Sequence, residues 1–210
     1  MIKGSNKALI LVDIQNDFIK DGALEVKNGE EVIKVANDIM PEFENIIATQ
    51  DWHPKNHKSF AANNNKNIGD IIDLNGLSQF MWPNHCVQNT FGSELAKDLN
   101  KSSIQKIIYK GTDPEIDSYS GFFDNGHLKS TELNKYLKDN NITDLYIMGL
   151  ATDYCVKFTA IDAFNLGYNT FLIEDGCRAV NINKDDSEKA LKEMKELGIQ
   201  IIQSKNIFAL

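Results

Sequence analysis

Apolar residues fall along this chain in short unbroken runs, separated by stretches in which they recur at helical spacing. The first run, Ala8 to Ile14, reads ALILVDI and is interrupted only by Asp13 near its end. Similar runs at Asn45 to Thr49, Gln105 to Tyr109, Leu145 to Met148, Asn169 to Ile173 and Ile199 to Gln203 predict strands. From Glu30 to Met40 the residues Val32, Ile33, Val35, Ala36, Ile39 and Met40 share one helical face, and Pro41 ends it. A second helix starts behind Ser130 or Thr131 and runs to about Asp139. A third resumes at Asp153 with Val156, Phe158, Ile161, Ala163 and Phe164 and stops near Gly167. A last one covers about Lys184 to Leu197 and ends at Gly198. Phe91 to Leu99 reads as a short helix. Lys55 to Gln88 shows little regular pattern, and Gly111 to Gly126 is a second long loop. Loops of such length inside a compact domain are uncommon and are usually functional or disordered.

Strands alternating with helices at this spacing predict an α/β fold. It is a Rossmann-like three-layer sandwich: a mostly parallel six-stranded sheet with helices on both faces. No linker-like shift in composition and no internal repeat interrupts the chain, so residues 1–210 read as one domain. Ligands of such sheets bind beyond the carboxyl ends of the strands. The chemically capable residues stand there repeatedly: Asp13 after the first run, Asp51 and His53 after the second, Lys110 after the third and Cys155 after the fourth.

Cys155 falls in the first turn of a helix that follows a strand and a tight turn at Gly149. Free backbone N–H groups and the positive end of the helix dipole favour a thiolate there, so the position suits a nucleophile. A lone cysteine is more often a buried structural one; what tips the balance is the convergence of Asp13 and Lys110 on the same edge. A carboxylate can take the thiol proton, and an ammonium can orient it and stabilise negative charge. Asp51-Trp52-His53 is a second constellation. Two ligands one residue apart on an extended segment point to the same side, which suits a metal. His53, His57 and His85 lie in one stretch, and an oxygen-plus-imidazole donor set suits zinc, iron or manganese. A histidine in such a loop can equally serve as a hydrogen-bonding residue, and a lone one such as His127 is rarely a ligand. The loop aromatics Phe18, Trp82, Tyr119 and Phe122 suit the walls of a pocket for a flat substrate, although singly such residues are more often core or loop anchors.

Composition narrows the classes. The hydrophobic fraction of 42% and charged fraction of 25% are those of an ordinary globular chain. No apolar run approaches the roughly 18 residues of a membrane span. The amino terminus lacks the length and the small-residue cleavage site of a secretory signal. A net charge of −8 with no basic stretch argues against nucleic-acid binding. Three cysteines, Cys86, Cys155 and Cys177, have no paired spacing, which fits a reducing compartment. The expectation is a cytoplasmic protein without nucleic-acid or membrane partners.

Five segments carry a family resemblance: VDIQNDF at 12–18, QDWHPKNHKSF at 50–60, WPNHCV at 82–87, KGTDPEIDSYSGFFDN at 110–125 and GLATDYCVKFTAIDA at 149–163. Together, in register from about Ala8 to the carboxyl terminus, they resemble the nicotinamidases of the isochorismatase-like superfamily. The resemblance implies a Cys-Asp-Lys amidohydrolase that converts nicotinamide to nicotinate and ammonia in NAD salvage, with pyrazinamide as a side substrate. Cys155 would attack the carboxamide after Asp13 accepts its proton, with Lys110 beside both. Backbone N–H groups of Ala151 and Cys155 would hold the oxyanion, next to a cis Leu150–Ala151 peptide. Phe18, Trp82 and Tyr119 would line the substrate pocket. One divalent metal, zinc first and iron or manganese as alternatives, would sit on Asp51, His53 and His85 and take the pyridine nitrogen; His57 is a further ligand in some relatives. Self-association into a homo-oligomer is also carried over from the resemblance, without a number. The chain departs from the pattern at Ile19-Lys20-Asp21-Gly22, on the pocket rim. Other readings are a ureidoacrylate or carbamoyl amidohydrolase of the same superfamily, which would not need the metal residues, and a silent ligand-binding module, which the retained Cys155 disfavours.

Overall fold

The ALILV run becomes the centre of a sheet because a strand with neighbours on both sides and layers on both faces has no polar face to present. In the computed structural model, which describes residue 4 and residues 6–208, β1 (Lys7–Val12) is buried from Ala8 to Val12. It lies between β2 (Asn45–Asp51) and β6 (Asp144–Leu150), parallel to both. Beyond β2 lies β5 (Lys106–Lys110). Beyond β6 lie β7 (Asn169–Arg178) and β8 (Gln200–Ile202), giving the order β5-β2-β1-β6-β7-β8 with every neighbour parallel. The direction of winding reverses between β1 and β6, which makes their carboxyl ends the topological switch point. β6 meets β1 there through Gly149, at φ +129°, where a Cβ would lie 2.1 Å from the Val12 carbonyl oxygen. Only glycine permits that approach.

Helices surround the sheet in two groups. α1 (Glu31–Ile39) buries Val32, Ile33, Ala36 and Ile39 and packs against β6 and β7. α3 (Lys157–Asn165) packs against β7 and against α4 (Asp186–Leu197). α2 (Leu133–Asp139) buries Leu133 and Leu137; the Thr131 hydroxyl accepts the Leu133 N–H at its start. Truncating a fully buried strand residue such as Ile10 or Leu11 costs about 2–5 kcal/mol. No helix among the described residues is long and apolar enough to cross a membrane.

Several sequence expectations need correction. Residues 55–88 hold an antiparallel hairpin, β3 (Ile71–Leu74) and β4 (Leu77–Phe80), turned by Asn75-Gly76 with φ +56° and +84°. An Asn-Gly pair between short apolar runs is the local signal for that turn. Phe91 to Leu99 forms only a single 3-10 turn, Phe91–Ser93. The helix after β6 opens as a π-type turn, Thr152–Val156, so Cys155 sits in a widened turn ahead of α3. β7 continues past Ile173 to Arg178, with a shift in its pairing to β6 between Ile147 and Gly149. A terminal α5 (Ser204–Ile207) follows β8.

Candidate active site

Lys110, the last residue of β5, is 1% exposed. An unpaired ammonium at that depth would be very unfavourable, so its surroundings are the key to the site. Its Nζ donates to Asp51 Oδ1 at 2.5 Å, to the Ser118 carbonyl at 2.9 Å and to Cys155 Sγ at 3.3 Å. The three protons of the ammonium serve these groups and one further carboxylate. Asp13 Oδ2 faces the same charge at 2.8 Å, so two carboxylates flank one cation. Asp13 leaves β1 at φ +48°, and its other oxygen accepts the Thr49 hydroxyl at 2.5 Å. Thr49 in turn accepts the Asp13 N–H at 3.2 Å, which fixes the carboxylate against β2.

The protonation states follow from this packing. Burial raises the Asp13 pKa, Lys110 offsets part of that rise, and Asp51 adds to it; the net direction is up. Burial pushes Asp51 the same way, but Lys110 and His53 outweigh it and hold that carboxyl well below its ordinary range. For Lys110, burial opposes the charge, but Asp13 and Asp51 overcome it and keep the ammonium protonated. Burial raises the Cys155 thiol well above its usual value; Lys110 lowers it, and Asp13 raises it again. The resting state is therefore a thiol beside a carboxylate, ready for a proton transfer, and not the free thiolate that the helix dipole alone suggests.

His53 follows β2, where its ring packs against Gly111. A Cβ on that glycine, at φ +63°, would lie 2.4 Å from the ring. His53 Nδ1 lies 2.9 Å from the Gly111 carbonyl, and His85 Nδ1 lies 2.8 Å from the Pro83 carbonyl. A carbonyl can only accept, so both rings carry a proton on Nδ1, and each neutral ring turns the lone pair of Nε2 inward. Burial lowers the His53 pKa, but Asp51 outweighs it and the net direction is up. Asp51 Oδ2 is 3.5 Å from His53 Nε2 and 3.8 Å from His85 Nε2. The buried His53 Nε2 has no hydrogen-bond partner. One oxygen and two imidazole lone pairs gathered within 4.8 Å form a donor set that fits a divalent metal. His57 differs. Its Nδ1 accepts the Ser59 N–H at 3.2 Å, so a neutral ring carries its proton on Nε2 and offers a donor there. Burial and the neighbouring His53 lower its pKa to about 4, which keeps the ring neutral. Asp117 lies beside it, with one donor atom of each of His53, His57 and Asp117 within 4.8 Å.

A narrow pocket of about 30 Å³ opens on Cys155, with Asp51 and His85 in its wall. Phe18, Trp82 and Tyr119 line it, as do Leu24, Tyr154 and Val180. Trp82 Nε1 donates to the Tyr119 hydroxyl at 3.1 Å, and the buried Gln79 of β4 reaches the same hydroxyl at 3.3 Å and Asp117 Oδ2 at 3.2 Å. The hairpin thus braces the aromatic wall. Ala151 borders the pocket, and the Leu150–Ala151 peptide is cis.

Residues 7–206 match the isochorismatase domain family. The chain belongs to that family. It is 48% identical over 196 residues to the nicotinamidase of Escherichia coli (strain K12), covering 91% of this chain and 92% of that protein. Among solved structures it resembles the Acinetobacter baumanii nicotinamidase/pyrazinamidase, with a TM-score of 0.95 and 42% identity across 98% of this chain and 99% of the other. A pyrazinamidase of Pyrococcus horikoshii in complex with zinc gives a TM-score of 0.78 and 39% identity, covering 94% and 99%.

In this isochorismatase-family chain the residues singled out by pattern gather at one sheet edge: Asp13, Lys110 and Cys155 around one ammonium, and Asp51, His53 and His85 beside them. Phe122 does not join them; it is wholly buried and stacks on Tyr168, a core residue. Thr49, Gln79, Asp117, Leu24, Tyr154 and Val180 escaped the sequence reading. Thr49 looked like part of an apolar strand, and the last three look like ordinary core or loop residues.

Proposed function

We propose that this protein is a nicotinamidase, hydrolysing the carboxamide of nicotinamide to nicotinate and ammonia. The observation that carries the reading is the single buried ammonium of Lys110 contacting both the thiol and the two carboxylates at the base of an aromatic-walled pocket. The similarity to nicotinamidases along nearly the whole chain supports the substrate.

The steps follow from the protonation states. Asp13 takes the Cys155 proton as sulfur forms a bond to the carboxamide carbon. Lys110 holds sulfur and carboxylate together and keeps the growing negative charge in a matched environment. The oxyanion of the tetrahedral intermediate is placed against the backbone N–H groups of Ala151 and Cys155. Protonated Asp13 returns the proton to the amide nitrogen, the C–N bond breaks and ammonia leaves. Water then attacks the thioester with Asp13 as base, and nicotinate departs from the restored thiol. Asp51, His53 and His85 would hold one divalent metal, zinc first, which would supply a Lewis-acid anchor for the ring nitrogen. The inward lone pairs of His53 and His85 support this ligand set, and the Ser59 N–H on His57 Nδ1 speaks for leaving that ring out of it. Phe18, Trp82 and Tyr119 would enclose the ring, and pyrazinamide, with its ring nitrogen and carboxamide, suits the same walls. Three free, buried cysteines support a cytoplasmic setting, and nicotinate as product supports a place in NAD salvage.

Ammonia release from nicotinamide by the purified, metal-replete protein tests the reading, with Cys155→Ala as control. Release by wild type alone is expected. An inactive wild type would overturn the substrate assignment.

A further inference from the structure

Part of the pocket wall comes from irregular chain on the carboxyl side of β7. Val180 sits in the segment between β7 and α4, half-buried, and yet borders the same cavity as Cys155. What holds it there comes from the nucleophile's own turn. Asp153, 7% exposed and two residues before Cys155, accepts the Val180 N–H at 3.0 Å with one carboxylate oxygen and the Asn181 N–H at 2.8 Å with the other. Two successive backbone N–H groups thus converge on one carboxylate, and Asn181 then turns the chain through a left-handed conformation, φ +52°, which asparagine tolerates better than most residues. The Asn181 side chain then accepts the Ser187 N–H at 2.9 Å, tying the segment to the first turn of α4. Charge-assisted bonds of this kind are among the strongest available to a loop.

We infer that Asp153 is a positioning residue for the reaction: it clamps Val180 over the thiol, so that the turn presenting the nucleophile also sets the opposing wall of its pocket. The two ends of the clamp have separate duties. Cys155 and the backbone around it face the reacting atoms, whereas Val180 limits the width available to the ring. Loosening the clamp should therefore weaken substrate binding and widen access to the thiol, with a smaller effect on the chemical step.

Asp153→Asn replaces one accepting oxygen with an NH₂ group that cannot accept either N–H, Val180→Ala shortens the wall itself, and Asn181→Ala loosens the segment while leaving Asp153 in place. Each variant is assayed for nicotinamide kinetics, for the rate of Cys155 alkylation by iodoacetamide followed by peptide mass spectrometry, and for Tm. Asp153→Asn is expected to raise KM about tenfold with kcat within about threefold, and to speed alkylation several-fold. Val180→Ala should do the same, and Asn181→Ala should move both readouts in the same direction. In the double variant the Asp153→Asn effect on KM should largely disappear, because the clamp acts through Val180. Additive effects in the double variant, or a lower Tm with KM and alkylation unchanged, would overturn the inference. If Asp153→Asn does not fold, Val180→Ala and Asn181→Ala decide: unchanged KM and alkylation in both would overturn it. The kinetic arm rests on the nicotinamidase reading. The alkylation arm does not, so a wild type inactive on nicotinamide leaves the clamp testable and fails only the substrate assignment.

Discussion

The two corners of the site that meet at Asp51 are built in opposite ways. Around Lys110, opposite charges touch: one ammonium, two carboxylates and a thiol, with the Ser118 carbonyl also accepting from the ammonium. Around His53 and His85 the second nitrogens are anchored to carbonyls and the first are turned inward, and His53 Nε2 is left without a hydrogen bond. Asp13 Oδ2 and His57 Nε2 likewise lack a hydrogen bond, but Asp13 Oδ2 faces the Lys110 ammonium at 2.8 Å, whereas His53 Nε2 faces another imidazole and a carboxylate that together make a donor set. The first corner is finished by the chain itself and governs proton position. The second is a donor set shaped for an added group.

The largest test of that contrast strikes the finished corner. Cys155→Ala should lower ammonia release by at least about 10³-fold while the fold persists, since it removes only the proposed nucleophile. Lys110→Met should cost both rate and stability. It leaves Asp13 and Asp51 buried without their cation, a loss of about 3–5 kcal/mol that denaturant unfolding would register. A Lys110→Met protein as stable as wild type would mean that the ammonium is not what holds these carboxylates. Turning to the other corner, His53→Ala should lower zinc affinity at least about 100-fold in competition with a chromophoric chelator, and His57→Gln about tenfold or less. Equal losses would erase the tautomer distinction. Acidity probes the boundary between the corners. In the proposed mechanism Asp13 must be ionised to accept the thiol proton, and burial raises its pKa, so kcat/KM should fall as pH drops through a value above the ordinary 3.8 of an aspartate. An acid limb lying below that value would contradict burial as the dominant influence. The smallest expected effect is in thiol labelling at neutral pH. Cys155 borders the pocket, so it should react before Cys86 and Cys177, although burial raises all three.

What could be read from sequence follows the same division between frame and filling. In a parallel sheet the inner strands are continuous apolar runs, so Asp13, Asp51, Lys110 and Cys155 stood out as polar residues where such runs end. The sheet then brought those ends together. The hairpin at Ile71–Phe80 was hidden because its strands are short and only half covered, which blurs alternation, and Asn75-Gly76 was its only clear sign. Val180 and Leu24 were hidden for another reason. An apolar residue in irregular chain looks the same whether it faces a core or a pocket, and only tertiary placement tells them apart. Phe122 shows the converse, an aromatic on a site loop that turned into the core. The direction in which a histidine points its lone pair depends on a carbonyl or an amide supplied by another loop, so no spacing rule separates His53 from His57.

Asp51 gives one oxygen to Lys110 and turns the other toward the imidazoles. A shared carboxylate of this kind orders how such a site can change over generations. The histidines can be lost one at a time with the cation still neutralised, but removing the carboxylate disturbs both corners in a single step. If these residues do hold a metal, a lineage that abandons it should shed its imidazoles first and keep the aspartate for the cation alone.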